Sequence, residues 1–534
     1  MTVLQAILIA ILYYVANSPW PFGGLGNYAI IYRPMVSGLV VGIILGDPVT
    51  GTIVGATINL MYIGFISAGG SMPADMSLAG ILGTAVAITS GIDAEAAVAF
   101  AVPLGLLGAL VWVGRLTLDS FFVRVADKYV EEGKPEKVWI ANILLPQLLL
   151  FFMTTIPCFL AAYFGTAYVK GFIDSLSGKF LGILSTVGGM LPAVGIGMML
   201  LAIYKGRARI FFFLGFFAAA YLGLGILPLA LIFFCVTLLM MISEGDLEGV
   251  KSAESQVGAV EAVTYKYLTK KDLRKSWWNW MYYFQSCYNY ERMQGVGFLH
   301  AMTYVIKRLY HDDPEQRKAA MRRHVQFFNT ENATGSAVIG LVAAMEEQNK
   351  ETGNIGDEAF TSIKTGLMGP LAGVGDTIWQ GVMIPLLISI FVGLSKDGNV
   401  AMPIVYSILF YILYYGFGYW LLNLSYKKGS EAILEMMESG IFKKVVVGAG
   451  YLGCAVMGGL VRNFVNISCK VEFQQTAETI FSLQRDFFDA LLPGLLALLL
   501  TLGCYKLLKK GWATYWVLLL LVAIGVVGGL AGVI

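Results

Sequence analysis

The sequence predicts an all-α, polytopic membrane protein. Hydrophobic residues make up 57% of the 534 positions and charged residues only 13%, whereas soluble domains carry about 25% charged residues. The mean hydropathy is +0.71. Uncharged runs at 139–164, 210–242 and 512–534 each reach the roughly 20 residues that cross a bilayer. The alternative is a large soluble helical protein, which so many long apolar runs disfavour.

Composition and motif spacing also exclude several functions. The net charge is +2 and no basic cluster is present, so we expect no nucleic-acid partner. The six cysteines form no CxxC pair, and the three histidines lack metal-ligand spacing. No nucleophile stands beside a base as a hydrolytic site requires. We therefore predict no catalytic residue, no metal site and no cofactor in this chain.

The first elements in chain order are apolar. Residues 1–32 contain no charged side chain, and without a basic n-region they do not resemble a cleaved signal peptide. The run at 210–242 is too long for one upright helix. We expect it to be tilted, or broken near Gly223, Gly225 and Pro228.

Residues 68–85 interrupt the apolar pattern of the first half. A Gly-Gly pair and Pro73 disfavour a regular helix, yet apolar runs flank both sides. Irregular backbone at membrane depth survives only where protein or a wet cavity covers it. We therefore predict a re-entrant or broken helix with Asp75 near its tip. The alternative is a surface loop in which Asp75 caps the helix that begins at Met76.

A shift in composition divides the chain. We predict a first membrane domain at 1–243, a linker at 244–264 and a second membrane domain at 265–534. The second domain includes charged helices at about 307–358, which must lie outside the bilayer core. One helix is predicted over 315–328, and its charged side is either a solvated face or a docking surface for a soluble partner.

A second interrupted segment follows at 364–381. It contains five glycines, one proline and Asp376, the only charged residue between Lys364 and Lys396. It resembles the segment at 68–85 in composition. Paired interrupted segments, one in each half, indicate a transporter site near the membrane midplane. A phosphate-binding loop is excluded because no Lys-Ser or Lys-Thr follows the glycines.

The densest polar cluster within apolar flanks is in the stretch 282–298. Asn289, Glu291, Arg292 and Gln294 stand there within six residues, and each is costly at bilayer depth unless it faces a partner or a polar cavity. At helical spacing Glu291 and Gln294 would share one face. We interpret these groups as part of a binding site, with an ion pair at the membrane surface as the alternative use of Glu291 and Arg292.

Charged loops predict the topology of the C-terminal region. Four lysines lie within 426–444, and three more lie at 506–510. The segment 462–489 is longer and acidic. The positive-inside rule then places the first two loops in the cytoplasm, and 462–489 and the C-terminus outside.

Several motifs resemble a known family. Four of them, in the second half, are similar to enzyme IID of the mannose-type phosphotransferase system: NYERMQGVGF (289–298), RRHVQFFNT (322–330), EEQ (346–348) and GLMGPLAGVGDTIWQG (366–381). Three in the first half resemble enzyme IIC of the same system: RPMVSGLVVGIILGD (33–47), GTIVGATINLMYIGF (51–65) and PADMSLAGILGTAVAI (73–88). The two components, usually separate, look fused here.

The resemblance implies a sugar-translocating permease of the bacterial cytoplasmic membrane. Soluble IIA and IIB partners would relay phosphate from phosphoenolpyruvate on histidines, and IIB would pass it to the sugar. The resemblance also implies two related halves with an elevator-like core and a scaffold, in a homotrimer surrounded by membrane lipid. In many IIC relatives a glutamate occupies the position of Asn59. An amide can donate as well as accept, so this departure puts the substrate in doubt.

Six side chains are the predicted sugar ligands, because hexose hydroxyls need both donors and acceptors: Asn59, Asp75, Asn289, Glu291, Gln294 and Asp376. Arg292 is predicted to form a structural ion pair with Glu291 or Asp376. The competing functions are an ion- or proton-coupled transporter of a small polar solute, with Asp75, Asp376 and Glu291 as a relay, and a membrane receptor. The sequence does not distinguish one sugar from another.

Overall fold

A computed structural model describes residues 1–65, 72, 74–166, 168, 178–243, 267–438, 441–474 and 480–534. The predicted linker at 244–264 and part of the segment at 68–85 lie outside these residues. The described chain is overwhelmingly helical, which confirms the all-α class.

The described residues of the first half are mainly α-helical. They are α1 (Val3–Asn17), α2 (Gly24–Ala29), α3 (Pro34–Leu45), α4 (Pro48–Met61), α5 (Met76–Ser90), α6 (Ala94–Leu118), α7 (Ser120–Glu131), α8 (Leu145–Leu160), α9 (Gly178–Met190), α10 (Pro192–Ile203), α11 (Ala208–Leu222) and α12 (Ile226–Ser243). Three short helical turns flank α8. They are a 3₁₀ turn at Pro135–Lys137 and π-helical turns at Ile140–Leu144 and Ala161–Gly165.

The second half adds further helices and one small hairpin. The helices are α13 (Lys270–Tyr283), α14 (Gly295–Leu309), α15 (Pro314–His324), α16 (Asn332–Thr352), α17 (Asp357–Gly375), α18 (Ile384–Ser395), α19 (Ala401–Glu438), α20 (Ile441–Phe464), α21 (Asp489–Leu491), α22 (Leu495–Lys509) and α23 (Thr514–Leu530). π-Helical turns occupy Asp376–Met383 and Leu483–Phe488. Strands β1 (Glu472–Gln474) and β2 (Ile480–Ser482) pair antiparallel.

Several helices are long and apolar enough to cross a membrane. Among the described residues these are Ala94–Glu131, Pro135–Gly165, Gly182–Leu201, Asp357–Ser395 and Ala401–Gly429. A bent pair, Leu483–Leu491 with Leu495–Lys509, passes the same test as one span. These helices support the prediction of a multi-pass membrane protein.

The apolar run at 210–242 is broken, which was one of the two expectations; the other was a tilted helix. α11 ends at Leu222 and α12 begins at Ile226, with Gly223 between them at a φ of 63°. An L-residue with a side chain rarely adopts this backbone conformation, whereas glycine does so without a steric penalty. The glycine therefore ends α11 and lets the chain reverse.

The segment at 364–381 differs from its prediction, because it is not interrupted. Asp357–Ser395 forms one continuous helical rod, with Pro370 inside α17 and a π-helical turn that begins at Asp376. A wider turn keeps the backbone polar groups hydrogen-bonded, whereas a true break in an apolar segment would leave them unpaired. The rod bulges at Asp376 instead of ending there.

The charged helix is shorter than the predicted 315–328. α15 ends at His324, and the residues after it are drawn into contacts with the turn that precedes α14. The Phe328 N–H donates to the Arg292 carbonyl at 3.3 Å, and the Phe328 carbonyl accepts from the Gln294 N–H at 2.8 Å. These bonds to a distant segment replace the last turn that local sequence favours.

Helices from the two halves pack directly against each other. α11 lies along α20, and α10 lies along α22. A Cβ atom at Gly215 or at Gly458 would overlap a backbone carbonyl of the facing helix. Small residues of this kind allow close backbone approach between membrane helices, so the halves form one interlocked bundle here.

Candidate functional site

A polar cavity lies between the two halves, where the turn after α13 faces α2, α6 and the end of α1. Both halves contribute polar and aromatic side chains: Asn17, Ser18, Tyr28, Tyr32, Trp112 and Arg115 from the first, and Tyr282, Gln285, Ser286 and Gln380 from the second. The lining can offer hydrogen-bonding groups and flat aromatic faces to one ligand.

A second compartment adjoins the first. The two compartments share Leu25, Gln285 and Gln380. The second is lined further by Phe284, Tyr288, Gln294, Asn329, Thr330, Glu331, Asn332, Ala372 and Asp376. We call the two compartments together the inter-half cavity. Two of the predicted ligands, Gln294 and Asp376, line it.

The segment between α13 and α14 is a tight turn and not a helix. Met293 adopts a positive φ of 50°, and Asn289 and Met293 pair as an isolated β-bridge. The prediction that Glu291 and Gln294 share a helical face is therefore wrong. Gln294 faces the inter-half cavity, whereas half of the Glu291 side chain is exposed on the outer surface.

Asn289 holds this turn together from inside. Its Oδ1 accepts hydrogen bonds from the N–H groups of Glu291 at 3.1 Å and Arg292 at 2.8 Å, and its Nδ2 donates to the Cys287 carbonyl at 2.9 Å. The side chain is fully buried. An asparagine that bonds to its own backbone in this way stabilises a turn. Asn289 thus shapes the wall without lining the cavity.

Arg115 fixes the same turn from the other half of the chain. Its Nη2 donates to the carbonyls of Gln285 at 2.6 Å and Ser286 at 3.1 Å, and its Nε lies 3.4 Å from Oδ2 of Asp119. The Arg115 side chain is buried. A second link joins Asn142 Nδ2 to the Tyr283 carbonyl at 3.0 Å. The first half therefore sets the position of Gln285 in the cavity.

Gln294 connects the turn to the segment that follows α15. Its Nε2 donates to the Thr330 carbonyl at 2.8 Å, and its Oε1 accepts from the Thr330 N–H at 2.9 Å. Both polar ends of the amide are thereby used in a backbone-like pair. Gln294 borders the cavity, but its first role is to hold two wall segments in register.

Asp376 begins the π-helical turn of the rod and is partly exposed to the inter-half cavity. Its Oδ1 accepts a hydrogen bond from Nε2 of Gln380 at 2.7 Å. A Cβ atom at the preceding Gly375 would overlap the hydroxyl of Thr334, so the rod approaches the start of α16 closely. The bulge places a carboxylate in the cavity wall with capacity for a ligand donor.

Glu331 is a second carboxylate beside the cavity and caps α16. Its Oε1 accepts from the Ala333 N–H at 3.0 Å and from the Tyr414 hydroxyl at 2.7 Å. Its Oε2 accepts from the N–H of Thr334 at 2.8 Å and from the Thr334 hydroxyl at 2.9 Å. Burial raises the pKa of Glu331. Its acceptor capacity is used within the protein, unlike that of Asp376.

Asn59 and Asp75 lie elsewhere in the fold, and neither lines the inter-half cavity in the described part of the chain. Asn59 is buried on α4, where its Oδ1 accepts from the Met35 N–H at 3.2 Å near the start of α3. Asp75 caps α5 by accepting from the Leu78 N–H at 2.9 Å, and it also accepts from the Tyr13 hydroxyl at 2.6 Å. Asp75 thus caps the helix, as the alternative interpretation expected.

Arg292 forms an ion pair, with a main partner that the sequence did not suggest. Its guanidinium makes a bidentate contact with Asp127 of α7, at 2.6 and 2.9 Å. Glu291 is a weaker partner at 3.6 Å. Because Asp127 belongs to the first half, this pair joins the halves at the outer surface and not inside the cavity.

Two family models match the sequence in succession. Residues 3–239 match the sorbose-specific IIC component of the phosphotransferase system, and residues 267–534 match the IID component of its mannose/fructose/sorbose family. The chain belongs to this family. It carries a IIC and a IID component in one polypeptide, and it is the sugar-translocating membrane component of a phosphotransferase system.

Individual relatives cover each half of this IIC–IID permease. The mannose-specific EIID component of Escherichia coli K12 is 36% identical over 287 residues, which is 52% of this chain and 99% of that protein. The mannose-specific EIIC component of the same strain is 28% identical over 236 residues, 43% of this chain and 86% of that protein. A cryo-EM structure of a mannose transporter in complex with microcin E492 is 36% identical, covers 51% of this chain and 99% of that one, and has a TM-score of 0.30.

Sequence reasoning missed several residues at the permease cavity. Gln285 stands in the same stretch as Asn289, and its position just before the polar cluster was a usable signal. Arg115 is a lone charge near the end of an apolar helix, which by itself indicates a buried partner. Glu331 stands directly before the apolar start of α16, the pattern of a helix cap. Their meeting at one cavity depends on tertiary contacts.

Proposed function

We propose that this IIC–IID permease binds a hexose or a closely related sugar in the inter-half cavity and presents it to a phosphorylated IIB partner. One observation carries the proposal. A cavity lies where the two components meet, and its lining combines carboxylate, amide and aromatic groups. Asp376 and Gln285 are the proposed sugar ligands, and Gln294 borders the site.

The lining suits the surface of a sugar. Hexose hydroxyls donate and accept hydrogen bonds, which the Asp376 carboxylate and the Gln285 amide complement. The apolar faces of a sugar ring pack on aromatic rings, and Tyr28, Tyr32 and Trp112 supply such rings in the first compartment. The relatives are described as specific for mannose or sorbose, and these names support a hexose as the substrate class.

The phosphoryl donor is proposed to be a separate protein. No stretch of this sequence has the alternating strand and helix pattern of a soluble IIA or IIB domain. In the transfer, the N–P bond of a phosphohistidine on IIB breaks and a P–O bond to a sugar hydroxyl oxygen forms. The hydroxyl proton ends on the imidazole. The permease supplies position and exclusion of water, not a covalent group.

The charged helices are proposed to face the cytoplasm. Glu347 of α16 accepts a hydrogen bond from the hydroxyl of Tyr426, which directly precedes Lys427 and Lys428. Clustered lysines beside a membrane helix favour the cytoplasmic side. At the other end of the molecule, the Lys470 N–H donates to the Val533 carbonyl at 2.7 Å. This contact supports a C-terminus outside, beside the loop at 462–489.

A homotrimer in the lipid of a bacterial cytoplasmic membrane is proposed on the family likeness. Large apolar side chains are exposed on single helices, for example Leu107 at 62%, Leu110 at 70% and Leu222 at 72%, and lipid or neighbouring copies would cover them. Native mass spectrometry from detergent would give a mass of three 58.0 kDa chains. A monomer or dimer as the largest stable species would contradict the trimer.

The function is tested with the purified permease in proteoliposomes. We expect thermal stabilisation by at least one hexose in a panel of hexoses, amino sugars and glycated amino acids. Uptake should require phosphoenolpyruvate and the soluble carriers, should yield the phosphorylated sugar, and should persist when an uncoupler abolishes ion gradients. Uptake of unmodified solute that the uncoupler stops would instead support the ion-coupled transporter.

A further inference from the structure

A groove on the outer surface lies directly behind one wall of the sugar cavity. The C-terminal end of α7, the turn before α14 and the residues after α15 enclose it, and its lining includes Asp127, Glu131, Arg292, Arg322 and Phe327. We call this surface the outer groove. It is distinct from the inter-half cavity, because the two share no lining residue.

Two adjacent chain segments separate the outer groove from the cavity. Arg292 and Phe327 line the groove, whereas Gln294, Asn329 and Thr330 line the cavity. In each segment, a residue that lines the groove is followed two or three positions later by a residue that lines the cavity. The segments are held together by the bonds between Gln294 and Thr330 described above. Anything bound in the groove therefore lies against two segments that also form a wall of the cavity.

The charged groups of the groove are paired across the two halves. Arg322 contacts Glu131 through Nε at 3.1 Å, and Arg292 contacts Asp127 at 2.6 Å. The Arg322 and Glu131 side chains are 57% and 62% exposed. An exposed ion pair of this kind contributes little to stability, so a phosphoryl dianion can replace the carboxylate as the partner of the guanidinium. Arginine binds phosphate oxygens in the same forked geometry.

One exposed aromatic side chain lines the groove, and a second stands next to the groove residue Glu291 in the sequence. Phe327 is 45% exposed and Tyr290, on the neighbouring turn, is 55% exposed. Both stand on the segments that form the cavity wall. Aromatic and arginine side chains together are the residue types that contribute most to protein interfaces. Exposed aromatics beside exposed ion pairs indicate a protein contact in preference to a lipid contact, because lipid tails do not solvate charged groups.

We propose that the outer groove is the docking site of the phosphorylated IIB carrier, with Arg322 drawing its phosphoryl group. The inference rests on the proposed function and adds where the carrier binds. Two ion pairs hold α7 at this groove, Glu131 with Arg322 of α15 and Asp127 with Arg292. When a phosphoryl group replaces Glu131 as the partner of Arg322, the first of these pairs is released. Docking then loosens the wall on the side from which phosphate must arrive, and the sugar is exposed only to a loaded carrier.

The test compares two variants that break the same ion pair. Arg322→Gln removes the cation, and Glu131→Gln removes the acid but leaves Arg322 unpaired. With phosphorylated IIB from the host as the probe, we expect Arg322→Gln to raise the KM for the carrier at least tenfold and Glu131→Gln to lower it. Equal KM changes in both variants would mean that the ion pair only holds α7 in place and that Arg322 does not bind the phosphoryl group. This result would overturn the proposal. Sugar-induced thermal shifts of each purified variant control for folding.

A second comparison tests the aromatic contact. Phe327→Ala should weaken binding of phosphorylated IIB to the permease in nanodiscs at least fivefold. Phe473→Ala serves as the control, because Phe473 on β1 is also exposed, at 57%. If Phe327→Ala instead changed the number of copies in the assembly and left carrier binding intact, the groove would be a contact between copies and the proposal would fail.

The same measurements separate this inference from the proposed function. Binding of IIB that depends on Arg322, together with no phosphorylation of any hexose by the wild type, would contradict the proposed function and support the docking site. Normal sugar phosphorylation with IIB binding that is indifferent to Arg322 and Phe327 would overturn the docking site and leave the function standing.

Discussion

Asp376 and Asn289 are both predicted ligands, but their hydrogen bonds give them different roles. Asp376 bonds to Gln380 and retains acceptor capacity toward the cavity. Asn289 uses its oxygen and its nitrogen within its own turn. A substitution at the first should therefore change sugar affinity, and a substitution at the second should change stability.

Asp376→Asn should weaken sugar binding about tenfold or more while the permease still folds, because a hydrogen bond to a charged group is worth roughly 1.5–3 kcal/mol. The measurement is the sugar Kd by titration calorimetry. Thr377→Ala is the matched control, since Thr377 is exposed and its hydroxyl donates to the Gly373 carbonyl at 2.7 Å. An unchanged Kd in Asp376→Asn would remove Asp376 from the site.

Asn289→Ala should lower the stability of the permease by about 2 kcal/mol, because the N–H groups of Glu291 and Arg292 lose their buried acceptor. The thermal midpoint in detergent reports this loss. Asn289→Asp keeps the acceptor oxygen and should restore most of it. If the aspartate variant were as stable as wild type but no longer bound sugar, the amide would be a ligand after all.

At the scale of elements, the links between α14 and the first half include a histidine. His300 accepts a hydrogen bond at Nδ1 from Nδ2 of Asn142 at 3.1 Å, and it is 7% exposed. Burial, with a smaller contribution from the charge of Lys307, lowers the pKa of His300 from 6.5 to about 4. Protonation would place an N–H donor against the amide donor of Asn142.

The pH dependence of stability follows from this lowered pKa. Between pH 4 and 6.5 the unfolded state binds the His300 proton and the folded state does not, so stability should rise with pH through this window and be lost on acidification. The full effect is roughly 3 kcal/mol. His300→Gln keeps an acceptor for Asn142 and does not titrate there, so thermal midpoints of this variant should vary less with pH over that window. An identical pH profile in both proteins would contradict the assignment.

The long helical rod that contains Asp376 shows how far composition predicts the shape of an element. Glycines and Pro370 predicted an interruption, and the structure has a π-helical turn in a continuous helix. The composition correctly marked an unusual backbone at this position. It could not distinguish a break from a bulge, because the difference depends on whether neighbouring segments satisfy the backbone bonds.

At the scale of the whole molecule, the two halves are held together by direct side-chain contacts as well as by the chain that connects them. Arg115 bonds to the Gln285 carbonyl, the Tyr406 hydroxyl donates to the Ala29 carbonyl at 2.6 Å, and Arg292 pairs with Asp127. The relatives of the two halves are described as separate components. The association of the halves should therefore not depend on their covalent connection.

Cleavage between the halves should leave a working permease. A protease site inserted within 244–264 is cut after purification, and we expect the two fragments to co-elute and to keep the sugar-induced thermal shift within about 2 °C of the intact protein. The uncut protein with the same insertion is the control. Separation of the fragments in mild detergent would show that the connection, and not the interface, holds the halves together.

The sequence by itself determined the membrane class, a tilt or a break in the apolar run at 210–242, the family of both halves and the unusual segment around Asp376. These features depend on hydropathy, backbone preference and motifs, all of which are local along the chain. Only the tertiary structure decided that Asn59 bonds to the start of α3, that Asp75 caps α5 outside the cavity, that Asn289 holds a turn, that Arg292 pairs with Asp127, and that Gln285 and Asp376 share a cavity. A polar side chain in an apolar stretch must find a partner, and which partner it finds depends on residues far away in sequence.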